Sequence, residues 1–476
     1  RGPIKRMVAV AMLIKSSLHT TIWNAALTST AIRVAEILSA LSKALDITDG
    51  QPEGHCIRAC WIGMKIGEQM GYATEEMSDL YYTLLLKDLG CSENSSRICE
   101  LYLADDFTIK RDFKLVDTTL SQLLGFVLSH TGMKSGLSER FRGVLNILQN
   151  GGTLVNELIE TRCQRGADIA RQMHFPEPVA QGILDLDEHF DGGGKPEGKA
   201  GPAISIYARI ALLSQVIDVF FKSAGRSAAI KEARKRAGRW FDPDIVDAFL
   251  SAQRQPGFWE TLQSDDIEAV VLALEPAQAE RLADEDYLDD IAAGFARVID
   301  AKSPYTSGHS DRVALFADMI AEELGYDIAA RRRIRRAGLL HDIGKLGVSN
   351  LILDKPGKLD GEEWEAMKLH PVYSEQILMR IAAFADVARS GGDHHERLDG
   401  KGYPRGIAGD AISMDTRIIS TADVFDALTA DRPYRAAMPI SRAFAILDES
   451  AGLAHDPVCI EALKRAIART ALLSAA

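Results

Sequence analysis

The sequence predicts an all-α protein built as two helical bundles in tandem, the second carrying a metal site. Three observations lead there. Apolar residues recur at three- and four-residue spacing over Ile32–Leu45, Val313–Leu324 and Ala411–Leu428, whereas the period-two alternation of a half-buried strand is scarce. The chain repeats itself at matched spacings. And five of its eleven histidines fall in four short islands of the second half: His309, His341, His370 and His394-His395.

The repeat is read from islands in one register. His55 and His309 are each followed seventeen residues later by a tyrosine, Tyr72 and Tyr326, and thirty-two residues later by Lys87-Asp88-Leu89-Gly90 and His341-Asp342-Ile343-Gly344. Asp191-Gly192-Gly193-Gly194-Lys195-Pro196 mirrors Asp399-Gly400-Lys401-Gly402-Tyr403-Pro404. Ile204-Ser205 and Arg209-Ile210 mirror Ile412-Ser413 and Arg417-Ile418, and Phe241-Asp242-Pro243 mirrors His455-Asp456-Pro457. The register needs about 46 extra residues in the first copy, between Gly90 and Arg162.

Along the chain, residues 1–25 read as an N-terminal extension. Its apolar run Met7–Ile14 is too short to span a bilayer, and no clean cleavage site follows it. Residues 26–252 form the first unit and 253–285 a connector. The connector opens with the loop Gln253-Arg254-Gln255-Pro256-Gly257 and continues through an acidic, helix-prone stretch. Residues 286–476 form the second unit, fed by a long helix over Leu282–Ile299. Gly71 and Gly325 are placed to end helices, and Pro304 precedes a helix start. Arg331–Leu340 should deliver His341 at a helix C-terminus.

The chain has 476 residues, 46% hydrophobic and 26% charged, as expected of a soluble globular protein. A net charge of −12 argues against general nucleic-acid binding but leaves room for a local basic pocket. Cys56, Cys60, Cys91, Cys99, Cys163 and Cys459 do not have the spacing of a disulfide framework, so they read as packing thiols in a reducing cytoplasm. No membrane partner is expected.

Imidazoles and carboxylates are common ligands of Fe, Mn and Zn. The order His309, His341-Asp342, His370, His394-His395, Asp423 therefore reads as a two-metal hydrolase site. The first copy has lost this chemistry. Lys87 stands for His341, Arg162 for His370, Leu186 and Asp187 for His394 and His395, and Gln215 for Asp423; only His55 and Asp88 remain. Lys87 and Arg162 would put cations where metals should sit. The first copy reads as a retained fold serving structure, dimerisation or regulation.

The segment His341–Lys345 together with Asp399–Pro404 resembles the HD-GYP family of cyclic-dinucleotide phosphodiesterases, over roughly residues 290–470. The resemblance implies two HD-domain-like bundles and hydrolysis of a bacterial cyclic dinucleotide by a hydroxide bridging two divalent metals, Fe or Mn. Cyclic di-GMP comes first as substrate. 3′,3′-Cyclic GMP-AMP is the alternative, because a tandem with a degenerate first copy resembles some of its phosphodiesterases. A non-catalytic receptor or scaffold is the competing class. By resemblance, His309, His341, Asp342 and Asp423 hold one metal, and His370, His394 and His395 hold the other with Asp342 bridging. Lys345 binds the scissile phosphate and acts with Asp342 in catalysis. Gly402 and Tyr403 shape the site and contact substrate, and Arg432 and Arg435 hold its phosphates. The Gly-Tyr-Pro loop would also offer a surface to a diguanylate cyclase domain, and the chain could form a homodimer. Some members carry a Glu four residues before the first His, at a third metal; here that residue is Tyr305, so a binuclear centre is expected.

Overall fold

The computed structural model describes residues 32–116, 120–133, 136–276, 282–431 and 435–475, so the N-terminal extension lies outside the described residues. Helices make up nearly all of the regular structure. Among the described residues the one β ladder is a two-residue antiparallel pairing of Ile32–Arg33 with Leu282–Ala283. That pairing trims two expected helices. The first begins at Val34 rather than Ile32 and runs to Thr48. The second is Glu285–Ala301, because Asp284 caps it by accepting the Tyr287 amide, and the two residues before the cap turn to the ladder.

Helix Val34–Thr48 is buried on almost every face. It packs on helices His55–Met70 and Thr74–Leu86 of its own half and on the turn Ile343–Gly347 and helix His370–Leu378 of the other. One hydrophobic core consequently runs through both halves, from Val34 to Ile467. In the second half, helices His309–Glu323, Ile328–Leu340, His370–Leu378, Ala385–Asp393 and Met414–Thr429 form the bundle. Asp327 and Ser413 cap two of these by accepting the amides of Ala330 and Thr416. Gly71 and Gly325 adopt left-handed φ of 73° and 79° at their helix ends. No helix of the described residues is long and apolar enough to cross a membrane. All six cysteines are buried free thiols.

The duplication is visible atom by atom. A Cβ on Gly344 would lie 2.0 Å from the carbonyl oxygen of His370; on Gly90 it would lie 1.9 Å from the carbonyl oxygen of Arg162. His309 Nδ1 meets Asp426 at 2.7 Å, and His55 Nδ1 meets Asp218 at 2.7 Å. Short parallel bridges recur at Ala237–Phe241 and Ala451–His455.

The extra residues of the first copy form helices Ser95–Tyr102, Asp106–Phe113 and Leu120–His130 and the start of the 36-residue helix Leu137–Gln172. They hold a small core of their own around Tyr102, Ile109, Phe126, Val127 and Ile147. From this insertion the fully buried Asp106 accepts the Lys302 ammonium at 3.1 Å and the Asn350 amide at 3.2 Å, both in the second half. The stretch expected to act as connector carries two short helices, Phe258–Thr261 and Ile267–Leu272. Their Phe258, Trp259 and Val271 are buried in the core.

The glycine contacts make a paired prediction. Gly344→Ala forces a methyl into the backbone that carries His370 and should destabilise the fold by about 3 kcal/mol or more. Gly152→Ala sits inside a helix with nothing within 4 Å of the new methyl. It should stabilise by about 0.5–1 kcal/mol. Urea unfolding of the two variants measures both.

Candidate metal centre

The seven residues picked from spacing converge inside the second bundle from five places in the chain. His309 opens helix His309–Glu323, and His341 and Asp342 follow the end of Ile328–Leu340. His370 opens His370–Leu378, His394 and His395 follow Ala385–Asp393, and Asp423 lies within Met414–Thr429. All are buried or nearly so.

Asp342 stands at the middle. Its Oδ2 lies 3.4 Å from His309 Nε2 and 3.3 Å from His341 Nε2, while its Oδ1 lies 3.5 Å from His370 Nε2 and 3.6 Å from His394 Nε2. One carboxylate oxygen thus faces each group of histidines. Asp423 Oδ1 is 3.4 Å from His309 Nε2, and His395 Nε2 is 3.1 Å from His370 Nε2. Donor atoms bound at about 2.0–2.2 Å to one ion stand roughly 3.0–3.6 Å apart, so these separations fit ligands of shared ions.

The histidines are oriented for the same purpose. Nδ1 of His341, His370 and His394 lies 2.8, 2.7 and 2.7 Å from the carbonyl oxygens of Gly338, Met367 and Gly391, each three residues back. A carbonyl only accepts, so the proton sits on Nδ1 and the Nε2 lone pair points into the cluster. Burial lowers the pKa of His370 to about 3 and of His394 to about 4, and pushes His395 well below its usual value, so these rings are neutral at pH 7. His309 differs: burial opposes its charge, but Asp342 and Asp426 outweigh that and raise it to about 9. A cation, proton or metal, is favoured at that point. Burial would also neutralise Asp342 and Asp423, yet His341 and Lys345 hold the first, and His309 and His341 the second, below the usual carboxylate range. The residues fit divalent ions on a further count: His309 Nε2, His341 Nε2 and Asp342 Oδ1 are buried without a hydrogen-bond partner. Such orphans each cost about 1–3 kcal/mol unless something binds them.

Other expected residues are placed differently. Lys345 lies in the tight turn Ile343–Gly347 and its ammonium pairs with Asp342. Tyr403 stacks on His395 with ring centroids 4.8 Å apart. A Cβ on Gly402 would fall 2.5 Å from Arg397 N and 2.6 Å from the His395 carbonyl oxygen, so this glycine seats the loop against the ligand segment rather than lining a pocket. Arg435 donates to the carbonyls of Leu428, Ala427 and Ala436 at a helix end instead of facing the cluster. Arg432 lies outside the described residues. Tyr305 is half-exposed.

Two residues escaped the sequence reading. Asp426 holds His309 Nδ1 and is itself gripped by Arg312; its position one helical turn after Asp423 was the available signal. Buried Glu396 accepts the amides of Arg405 at 2.6 Å and Gly406 at 3.1 Å, pinning the Gly-Tyr-Pro loop as Glu188 pins its counterpart through Glu197 and Gly198.

The same place in the first half is filled by side-chain cations. Asp49, His55 and Asp88 converge, but Lys87 pairs with Asp88, Lys114 with Asp49, and Arg162 with Asp187.

Comparison with known proteins agrees with this geometry. The HD domain family matches residues 130–245 and 294–458. The 3′3′-cGAMP-specific phosphodiesterase 3 of Vibrio cholerae is 52% identical over 434 residues, covering 91% of this chain and 94% of that protein. The cyclic di-GMP phosphodiesterase response regulator RpfG of Xanthomonas campestris is 35% identical over 211 residues, 43% of this chain and 54% of that protein. A crystal structure of a cyclic GMP-AMP specific phosphodiesterase of V. cholerae superimposes with a TM-score of 0.63 at 47% identity, covering 92% of this chain and 98% of that one. The chain belongs to the HD-domain family, as a phosphodiesterase of the HD-GYP type.

A metal analysis of the purified chain should find about two divalent ions. Asp342→Ala, which removes the carboxylate facing both histidine groups, should lose both, whereas Lys87→Met should lose none. Plasma mass spectrometry reads all three.

Proposed function

We propose that the second bundle hydrolyses 3′,3′-cyclic GMP-AMP to the linear dinucleotide, with cyclic di-GMP as the weaker substrate. The observation that carries the hydrolysis is Asp342, one carboxylate presenting an oxygen to each of two histidine groups. The choice of cyclic dinucleotide reverses the order expected from the sequence. It is supported by the relative that matches this chain nearly end to end, whereas the cyclic di-GMP relative above matches less than half of it.

In this reading His309, His341, Asp342 and Asp423 hold one ion, and His370, His394, His395 and Asp342 the other, with Fe or Mn favoured by the family resemblance; the mixed nitrogen and oxygen donors alone would also take Zn or Ni. When bound, two such ions supply Lewis acidity at the phosphate and a water that ionises near neutral pH. The chain's own residues do the rest. The backbone carbonyls behind His341, His370 and His394 fix the rings, and Asp426 fixes His309. Lys345, at the edge of the cluster, brings an ammonium to the scissile phosphate and the departing oxygen. The first bundle, with ammonium and guanidinium groups in the corresponding place, takes no part in the chemistry.

Protein purified anaerobically and loaded with Fe(II) or Mn(II) should cleave both cyclic dinucleotides, with kcat/KM for 3′,3′-cyclic GMP-AMP higher by about tenfold or more. His341→Ala should abolish both activities. A preference for cyclic di-GMP would overturn the substrate choice; bound metal without cleavage of either would overturn the substrate class.

A further inference from the structure

Trp364 has a placement that the metal centre does not explain. It stands on the short helix Gly361–Met367 and is 44% exposed. The capping box of Asp360 and Glu363 and the Lys355–Glu363 ion pair hold that helix, so the indole is not needed as filling. Its ring meets Tyr403 at 5.8 Å and 75°, and Tyr403 stacks in turn on His395 at 4.8 Å and 29°. His395 reaches His370 within the cluster. An aromatic series therefore leads outward from the candidate metal ligands, and its last two rings stand nearly perpendicular, as two walls of a corner.

We infer that Trp364 and Tyr403 form a nucleobase-stacking subsite beside the metal centre, a reading that rests on the cyclic-dinucleotide substrate proposed above. The chemistry divides naturally. Metals and Lys345 answer the phosphate's charge, which leaves the neutral purine to be held by surface of its own kind. His395 covers one face of Tyr403, and the half-exposed indole offers the open wall. Stacking on an aromatic ring raises affinity by about tenfold or more per base and is tolerant of base identity, because every base has a π-face. The subsite thus supplies affinity to guanine and adenine alike and does not choose between them.

The test uses the full chain with its metals. Trp364→Ala should weaken GMP binding, measured by calorimetry, about tenfold, and raise KM for both cyclic dinucleotides by a similar factor at nearly constant kcat. Trp364→Phe should restore most of each. Ribose 5-phosphate, which keeps sugar and phosphate but lacks the base, should bind parent and Trp364→Ala equally. Unchanged GMP affinity, or an equal loss for ribose 5-phosphate, would overturn the subsite. GMP binding needs no turnover, so an error in the proposed substrate shows separately, as no cleavage of either cyclic dinucleotide while the effect on GMP persists.

Discussion

A buried carboxylate in the middle of a helical bundle must have a cation beside it, and the rest of this structure follows from how each half supplies one. Asp88 and Asp342 occupy the same place in the two copies, and both are almost completely buried. An uncompensated charge there would cost several kcal/mol. In the first half the neighbouring residue Lys87 provides the compensation, and Lys114 and Arg162 do the same for Asp49 and Asp187. In the second half the equivalent of Lys87 is His341, whose proton is committed to a backbone carbonyl and whose lone pair faces inward. Lys345 pairs with Asp342 only from the edge of the cluster, and the rings of His370, His394 and His395 are neutral. They present the donor set of divalent ions instead. One fold has met one electrostatic demand in two ways, and the chemistry lies with the way that requires metal.

The two halves are not separate bodies with a tether. Helix Val34–Thr48 is buried between them, against the very turn that carries Lys345. The insertion of the first half places Asp106 where it holds Lys302, ahead of His309, and Asn350, just beyond Lys345. The segments just before His309 and just after Lys345 therefore rest on a buried carboxylate from the other half. Its pair with Lys302 tolerates little displacement, because removing either partner leaves the other charge buried.

Much of this was legible in the chain. Histidine and aspartate islands at matched spacings located the cluster, because ligands that must converge from different helices leave a pattern in residue type as well as in position. The duplication was legible for the same reason, down to Arg162 facing Gly90 as His370 faces Gly344. What the pattern could not show was direction. The acids Asp426 and Glu396 recur in the first copy as Asp218 and Glu188, but residue type alone does not say what they hold, and their role appears only when the backbone brings a ring nitrogen or a loop amide to them. Arg435 looked like a phosphate ligand, yet its guanidinium turned to the free carbonyls at a helix end, a local demand that residue type alone does not announce. The pairing of Ile32–Arg33 with Leu282–Ala283 joins residues some 250 positions apart and is too short to show any period.

The account turns on metal in one half and side-chain cations in the other. Anomalous diffraction from crystals of the metal-loaded protein, collected across the Fe or Mn absorption edge, tests that contrast directly. It should show two peaks about 3.5–4 Å apart on either side of Asp342, and none beside Asp88. A single peak at Asp342, or any peak displacing Lys87, would contradict it.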